Sequence, residues 1–180
     1  MKANLYINKI YQIPEFISES EQSTLSHIIR NAKAESWDGI GTGTTWENNI
    51  MAVEDPIFMQ IFTRITTLFS GSTGINPINK IHRFKSDQYI GTHTDQLGSP
   101  DINFGVVLYI NDNYNGGEIV YPSDGVMIKP IARSLVIHPG DMPHKTNPVI
   151  GQNYRYMIST FVHGPNTTIN TNLFSEVNNV

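Results

Sequence analysis

The sequence predicts a mainly β protein with flanking helices, an α+β fold in which a sandwich or jelly roll is buttressed by two helices near the N-terminus. Three observations carry that expectation. From about residue 77 onward, short apolar runs recur at roughly 8–12-residue spacing, each bounded by Gly, Pro, Asn or Asp. Before that point, two segments repeat their apolar residues at helical intervals. The 180 residues are 39% hydrophobic and 16% charged, which excludes a disordered chain. This length suits one domain over 1–180, able to bury roughly 70% of its unfolded surface.

The first helix starts at Ser18, where Ser18 and Glu21 have capping-box spacing, and Leu25, Ile28 and Ile29 follow on one face. Asp55 is the N-cap of the second, with Pro56 at its first position. Ile57, Phe58, Ile61, Phe62, Ile65, Leu68 and Phe69 then form an apolar stripe suited to packing on a sheet. Between the helices, residues 37–46 are rich in Gly and Thr with Trp37 and Trp46 at the ends. They contain neither GxGxxG nor a following Lys-Ser/Thr pair, so a hairpin or pocket-covering loop is expected rather than a phosphate loop. Strands are expected over 79–84, 104–110, 118–121, 126–129, 134–138 and 155–162. The polar tail, 164–180, has no clear period and is expected to be loosely held.

Composition narrows the function. There are no cysteines, so disulfide frameworks, thiolate metal sites and thiol nucleophiles are excluded. Twelve Lys and Arg against 16 Asp and Glu give a net charge of −4, which argues against nucleic acid as a partner. No run of 18 apolar residues suggests a membrane span, and the first ten residues lack the apolar stretch of a signal peptide. A soluble, cytoplasmic protein is the expectation.

His93-Thr94-Asp95 is the most informative triplet. In an extended segment, residues i and i+2 project from the same face, bringing imidazole and carboxylate to one metal-sized site. His144 is the candidate third ligand, just past the strand expected over 134–138. Two histidines and one carboxylate on one face of an octahedron suit non-haem Fe(II) oxygenases, although the same donors also bind zinc.

The context of the triplet is more specific. Phe84, Gly91, His93-Thr94-Asp95, Tyr109-Ile110-Asn111-Asp112, Gly116-Gly117-Glu118, His144, Pro148-Val149 and Arg155-Tyr156 follow one another in order. Over about residues 80–162 this succession resembles the 2-oxoglutarate- and Fe(II)-dependent dioxygenases, specifically the prolyl 4-hydroxylase-like group.

That resemblance implies a double-stranded β-helix (jelly-roll) core with the two N-terminal helices packed on one sheet, and a metal- and cosubstrate-binding core of about 78–163. It implies Fe(II) on His93, Asp95 and His144, and 2-oxoglutarate held at its far carboxylate by Arg155 and Tyr109. A guanidinium fork offers a carboxylate two parallel donors, and a buried tyrosine hydroxyl requires a partner. The implied reaction is hydroxylation of a C–H bond with O2, releasing succinate and CO2, with ascorbate as a reductant. A peptidyl proline is the implied substrate, with Trp46 as a candidate to stack on its ring and residues 37–50 as a candidate lid. Peptidyl lysine or a small molecule would use the same site, and a non-catalytic, metal-binding jelly-roll module is the alternative of a different class. Related nucleic-acid demethylases are disfavoured, because Arg155 lacks a second Arg a few residues later. Phe84 departs from the family, where many members carry a second tyrosine touching the cosubstrate. His138 competes with His144 for the distal position, but only His144 has the Pro-Val pair at the family offset.

Overall fold

The computed structural model describes residues 1–33, 37–40, 46–49, 55–77, 81–97 and 99–180, with the backbone alone for residues 8, 38–40 and 46–49. Its first half contains β1 (Lys2–Tyr6), β2 (Ile10–Ile13), α1 (Glu19–Asn31), β3 (Trp37–Ile40), β4 (Trp46–Asn49), α2 (Pro56–Thr67), β5 (Phe69–Ser70), β6 (Gly74–Ile75), β7 (Ile81–Phe84) and β8 (Ile90–His93). The second half contains β9 (Ile102–Tyr109), β10 (Asn115–Gly116), β11 (Ile119–Tyr121), β12 (Val126–Ile128), β13 (Leu135–Pro139), β14 (His144–Thr146), β15 (Val149–Ile150), β16 (Arg155–His163), β17 (Thr168–Ile169) and β18 (Glu176–Asn179).

The larger sheet has the order β18-β1-β2-β13-β9-β16-β7-β4-β3, with β6 joined to β16, and the smaller has the order β12-β11-β14-β8. Alternation along the central strands divides the core in two. Val106 and Leu108 of β9, Leu135 and Ile137 of β13 and Ile158 of β16 face the helices, joining Leu25, Ile61 and Ile65. Val107 and Tyr109, Val136 and Met157 face the other way, joining Ile119, Tyr121 and Ile128 of the smaller sheet. The two sheets thus pack face to face in a jelly roll, with both helices on the outer face of the larger one.

The helices form where their caps and stripes dictate. Ser18 Oγ accepts the Glu21 amide at 3.2 Å while the Glu21 carboxylate accepts the Ser18 amide at 2.7 Å. Asp55 Oδ1 accepts the Ile57 amide at 2.9 Å. Ile57, Phe58, Ile61 and Ile65 are buried on α2, each contributing about 1.5–3 kcal/mol of apolar burial. Arg64 of α2 joins the helices by donating from Nη2 to Glu21 Oε1 at 2.6 Å and from Nη1 to Glu21 Oε2 at 3.1 Å.

β3 and β4 pair antiparallel with each other and extend the larger sheet, since β4 also pairs antiparallel with β7. Residues 41–45 and the Trp46 side chain lie outside the described residues, so the stacking and lid expectations rest on the sequence. The tail differs from expectation. β18 pairs in parallel with β1, β17 pairs with β5, and Phe174 is buried against Tyr11. Polar side chains concealed this because its order comes from backbone pairing along a sheet edge. Among the described residues, no helix is long and apolar enough to cross a membrane.

Candidate active site

Three elements bring the predicted donors together. His93 closes β8, His144 opens β14, and the two residues are direct partners across those strands. Asp95 opens a single 3-10 turn, Asp95–Leu97, so the chain bends after His93 instead of continuing as the extended segment the spacing predicts. The carboxylate still meets the imidazoles: Asp95 Oδ1 is 3.8 Å from Nε2 of His93 and 3.8 Å from Nε2 of His144. Among the described residues, these three offer one ligand atom each, all within 4.8 Å of one another.

Tautomers follow from the acceptors. His93 Nδ1 donates to the Gly91 carbonyl at 2.9 Å, and His144 Nδ1 donates to the Met142 carbonyl at 3.0 Å. A carbonyl only accepts, so each Nδ1 carries the proton and each Nε2 lone pair points toward the shared site. Burial, helped by the neighbouring His138, lowers the His144 pKa to about 4 and keeps the ring neutral at pH 7. Burial opposes ionisation of Asp95, but the His138 hydrogen bond and the surrounding imidazoles hold its carboxyl below the usual value. Two imidazole nitrogens and a carboxylate are a donor set that fits Fe(II) and leaves coordination positions open.

A cavity of about 460 Å³ runs from this cluster to Arg155, between Phe84, Val107, Ile119 and Met157. Arg155 is 0% exposed, and its Nε and Nη1 have no hydrogen-bond partner among the described residues. Its position is fixed from both sides, because Asn111 Nδ2 donates to the Tyr154 carbonyl and Asn111 Oδ1 accepts the Tyr156 amide, each at 2.8 Å. Buried guanidinium groups require an anion, and none of the described residues supplies one here. The fit to a cosubstrate carboxylate therefore rests on this chain's own unsatisfied donors.

Tyr109, predicted beside this carboxylate, is fully buried, and its hydroxyl has no hydrogen-bond partner among the described residues. Tyr114, which the sequence did not single out, is a second such hydroxyl near Arg155. Burial raises both tyrosines above the ordinary value against the opposing pull of Arg155, so both hydroxyls stay protonated. Gly117, at φ +70°, makes the arrangement possible. A Cβ there would lie 2.9 Å from Arg155 Cδ and 3.1 Å from Tyr114 Cε2. The Gly117 amide also donates to the Pro148 carbonyl at 3.1 Å, joining the Gly-Gly-Glu turn to the Pro-Val pair.

His138 is the other residue that sequence reasoning underplayed. It is not the distal member of the cluster, yet its Nε2 lies 3.0 Å from Asp95 Oδ2. The available signal was alternation: Val136 and His138 share the face of β13 opposite Leu135 and Ile137. His82 also reaches the cavity wall and bonds Ser159 Oγ at 2.9 Å, while His163 is held between Asp101 and Asn76 away from it.

Residues 79–163 match the family model described as the 2OG-Fe(II) oxygenase superfamily. Solved structures agree in fold. A prolyl hydroxylase from Trichoplax adhaerens, in complex with a hypoxia inducible factor oxygen degradation domain peptide fragment, is 15% identical with a TM-score of 0.68, over 87% of this chain and 84% of that one. A Pseudomonas putida prolyl-4-hydroxylase is 19% identical with a TM-score of 0.65, over 87% and 93% of the two chains. The viral collagen prolyl hydroxylase of Paramecium Bursaria Chlorella virus-1 is 14% identical with a TM-score of 0.62, over 86% and 95%. No match is found among curated proteins. Residues 79–163 are thus similar to the 2OG-Fe(II) oxygenase superfamily, whose members use Fe(II) and 2-oxoglutarate, and the chain shares its fold with these solved prolyl hydroxylases.

Proposed function

We propose that this chain hydroxylates a C–H bond of a peptidyl proline, with His93, Asp95 and His144 holding Fe(II) and with Arg155, Tyr109 and Tyr114 holding the far carboxylate of 2-oxoglutarate. One observation carries the reading. A two-histidine, one-carboxylate cluster and a fully buried guanidinium, whose Nε and Nη1 have no hydrogen-bond partner among the described residues, share a single cavity. A metal-binding module without turnover has no use for the second feature. The proline assignment draws its support from the prolyl hydroxylases of like fold, one of them bound to a peptide fragment.

When bound, iron and 2-oxoglutarate supply the oxidation: O2 is consumed, succinate and CO2 are released, and a hydroxyl group is placed on the substrate carbon, with ascorbate as an external reductant. The protein's part is positional. His93 and His144 present fixed Nε2 lone pairs, and Asp95 offers Oδ1 between them. Arg155 and the two tyrosines orient one end of the cosubstrate, while Phe84, Val107 and Met157 keep water from its chain.

The test is succinate formation from 2-oxoglutarate, Fe(II), ascorbate and O2, with and without a proline-rich peptide, for the native chain and for Asp95→Ala. Succinate from the native chain alone, increased by the peptide, is the expected result. No succinate under any condition, together with no Fe(II)-dependent 2-oxoglutarate binding, would instead favour the module.

A further inference from the structure

Asp95 is contacted from two directions. Its Oδ1 faces the Nε2 atoms of His93 and His144, whereas its Oδ2 lies 3.0 Å from Nε2 of His138. His138 is 1% exposed and its ring centroid is 4.4 Å from that of His144. An ionised carboxylate only accepts hydrogen bonds, so the proton between Oδ2 and His138 belongs to Nε2. That nitrogen has no lone pair left for a metal. The remaining lone pair, on Nδ1, is buried without a partner among the described residues. His138 therefore touches the ligand and not the metal position.

The backbone opposite is shaped for this contact. His138 and Gly105 are direct partners across β13 and β9. A Cβ on Gly105 would collide with both Asp95 Oδ2 and His138 Nε2. The carboxylate therefore occupies space that any other residue at position 105 would fill. Three separate choices converge on one oxygen atom: a histidine at an inward position of β13, a glycine across from it, and the turn that begins at Asp95.

We infer that His138 is a positioning residue for Asp95, whose Nε2–H holds Oδ2 so that Oδ1 alone is presented to the metal. The inference rests on the assignment of His93, Asp95 and His144 as the metal ligands. Held at Oδ2, the carboxylate binds through one oxygen and leaves the opposite positions to cosubstrate and O2. Without that hydrogen bond, Asp95 is free to rotate or to chelate through both oxygens. Outer hydrogen bonds of this kind typically change metal affinity by about 10- to 100-fold.

The test uses Co(II) alone, bound to the native chain, Asp95→Ala, His138→Gln and His138→Met. Affinity is read by titration calorimetry and ligand geometry by the visible absorption of the bound Co(II). Gln and Met are close in length and shape, and only Gln has a donor to offer Oδ2. His138→Met is expected to weaken Co(II) binding by about 10-fold or more and to alter its absorption bands, while His138→Gln recovers most of both. Native affinity and spectrum in His138→Met would overturn the inference. Equal losses in the Gln and Met variants would also overturn it, because the donor would then be irrelevant. Equal Co(II) binding by the native chain and Asp95→Ala would instead overturn the underlying ligand assignment. Circular dichroism establishes folding, and His138→Phe repeats the donor-free arm if the methionine variant does not fold.

Discussion

Arg155 and Phe84 are direct partners across β16 and β7, and the guanidinium carbon lies 4.5 Å from the centroid of the phenyl ring. An aromatic face at this distance stabilises a cation without offering it a hydrogen bond. Phe84 therefore covers one side of the guanidinium and leaves its N–H groups to be satisfied by something else. Stability and function should consequently respond in opposite ways at position 155. Replacing an unpaired buried charge by an apolar side chain of similar volume is neutral or stabilising by about 1–2 kcal/mol. Arg155→Met should thus melt at or above the native temperature while losing measurable 2-oxoglutarate binding in a titration with Mn(II) present. A large loss of stability with binding retained would make Arg155 a structural residue.

The unpartnered hydroxyls of Tyr109 and Tyr114 make a second expectation. Removing a buried hydroxyl that has no partner costs the fold little, because no hydrogen bond is broken. A hydrogen bond to a carboxylate should be lost only when the cosubstrate is present. Tyr114→Phe and Tyr109→Phe should each raise the 2-oxoglutarate concentration for half-maximal succinate formation by about 10-fold, with unchanged melting temperature. An unaltered concentration dependence in Tyr114→Phe would remove that residue from the site.

The grouping of His93, Asp95 and His144 and the inward position of Arg155 were legible because each is tied to local chemistry: a triplet, a later histidine and a basic residue among apolar neighbours. Both helices were legible for the same reason, since Ser18, Glu21, Asp55 and Pro56 state their boundaries within four residues. What stayed hidden depends on distant pairing. β2 is buried at every position, so Ile10–Ile13 shows no alternation. β18 is exposed at every position and owes its order to β1, far away in the chain. Tyr114 lies in an irregular segment where no periodicity assigns a direction, and its place beside Arg155 exists only because Gly117 is there. His138 was visible as an inward residue, but its partner lies 43 positions away.

Gly117 can be tested directly. An L-residue at φ +70° is strained by about 1 kcal/mol, and the added Cβ meets both Arg155 Cδ and Tyr114 Cε2. Gly117→Ala should lower stability by about 1–3 kcal/mol in a urea melt and weaken 2-oxoglutarate binding, since either Arg155 or Tyr114 must shift. Gly125, also at positive φ (+67°) but with nothing near its Cβ position, provides the comparison. Gly125→Ala should show the backbone strain alone, with cosubstrate binding intact.

The Glu21–Arg64 pair between the helices sets a dependence on acid. Hydrogen bonding to Arg64 outweighs burial and lowers the Glu21 pKa from 4.5 to about 2. Between these values the unfolded chain binds the proton that the folded chain refuses, so this contribution to stability falls as pH falls. It is fully present above about pH 4.5 and is lost on approach to pH 2. Glu21→Gln keeps an oxygen to accept the Ser18 amide, so the capping box survives and the charge on Arg64 loses its counterpart. The variant should be less stable than the native chain by about 1 kcal/mol at pH 7, the scale of a partly exposed ion pair. Urea melts at pH 7, 4.5 and 2.5 measure the difference, which should shrink toward zero at the lowest pH. A difference that stays constant across the series would assign the loss to the cap and not to Arg64.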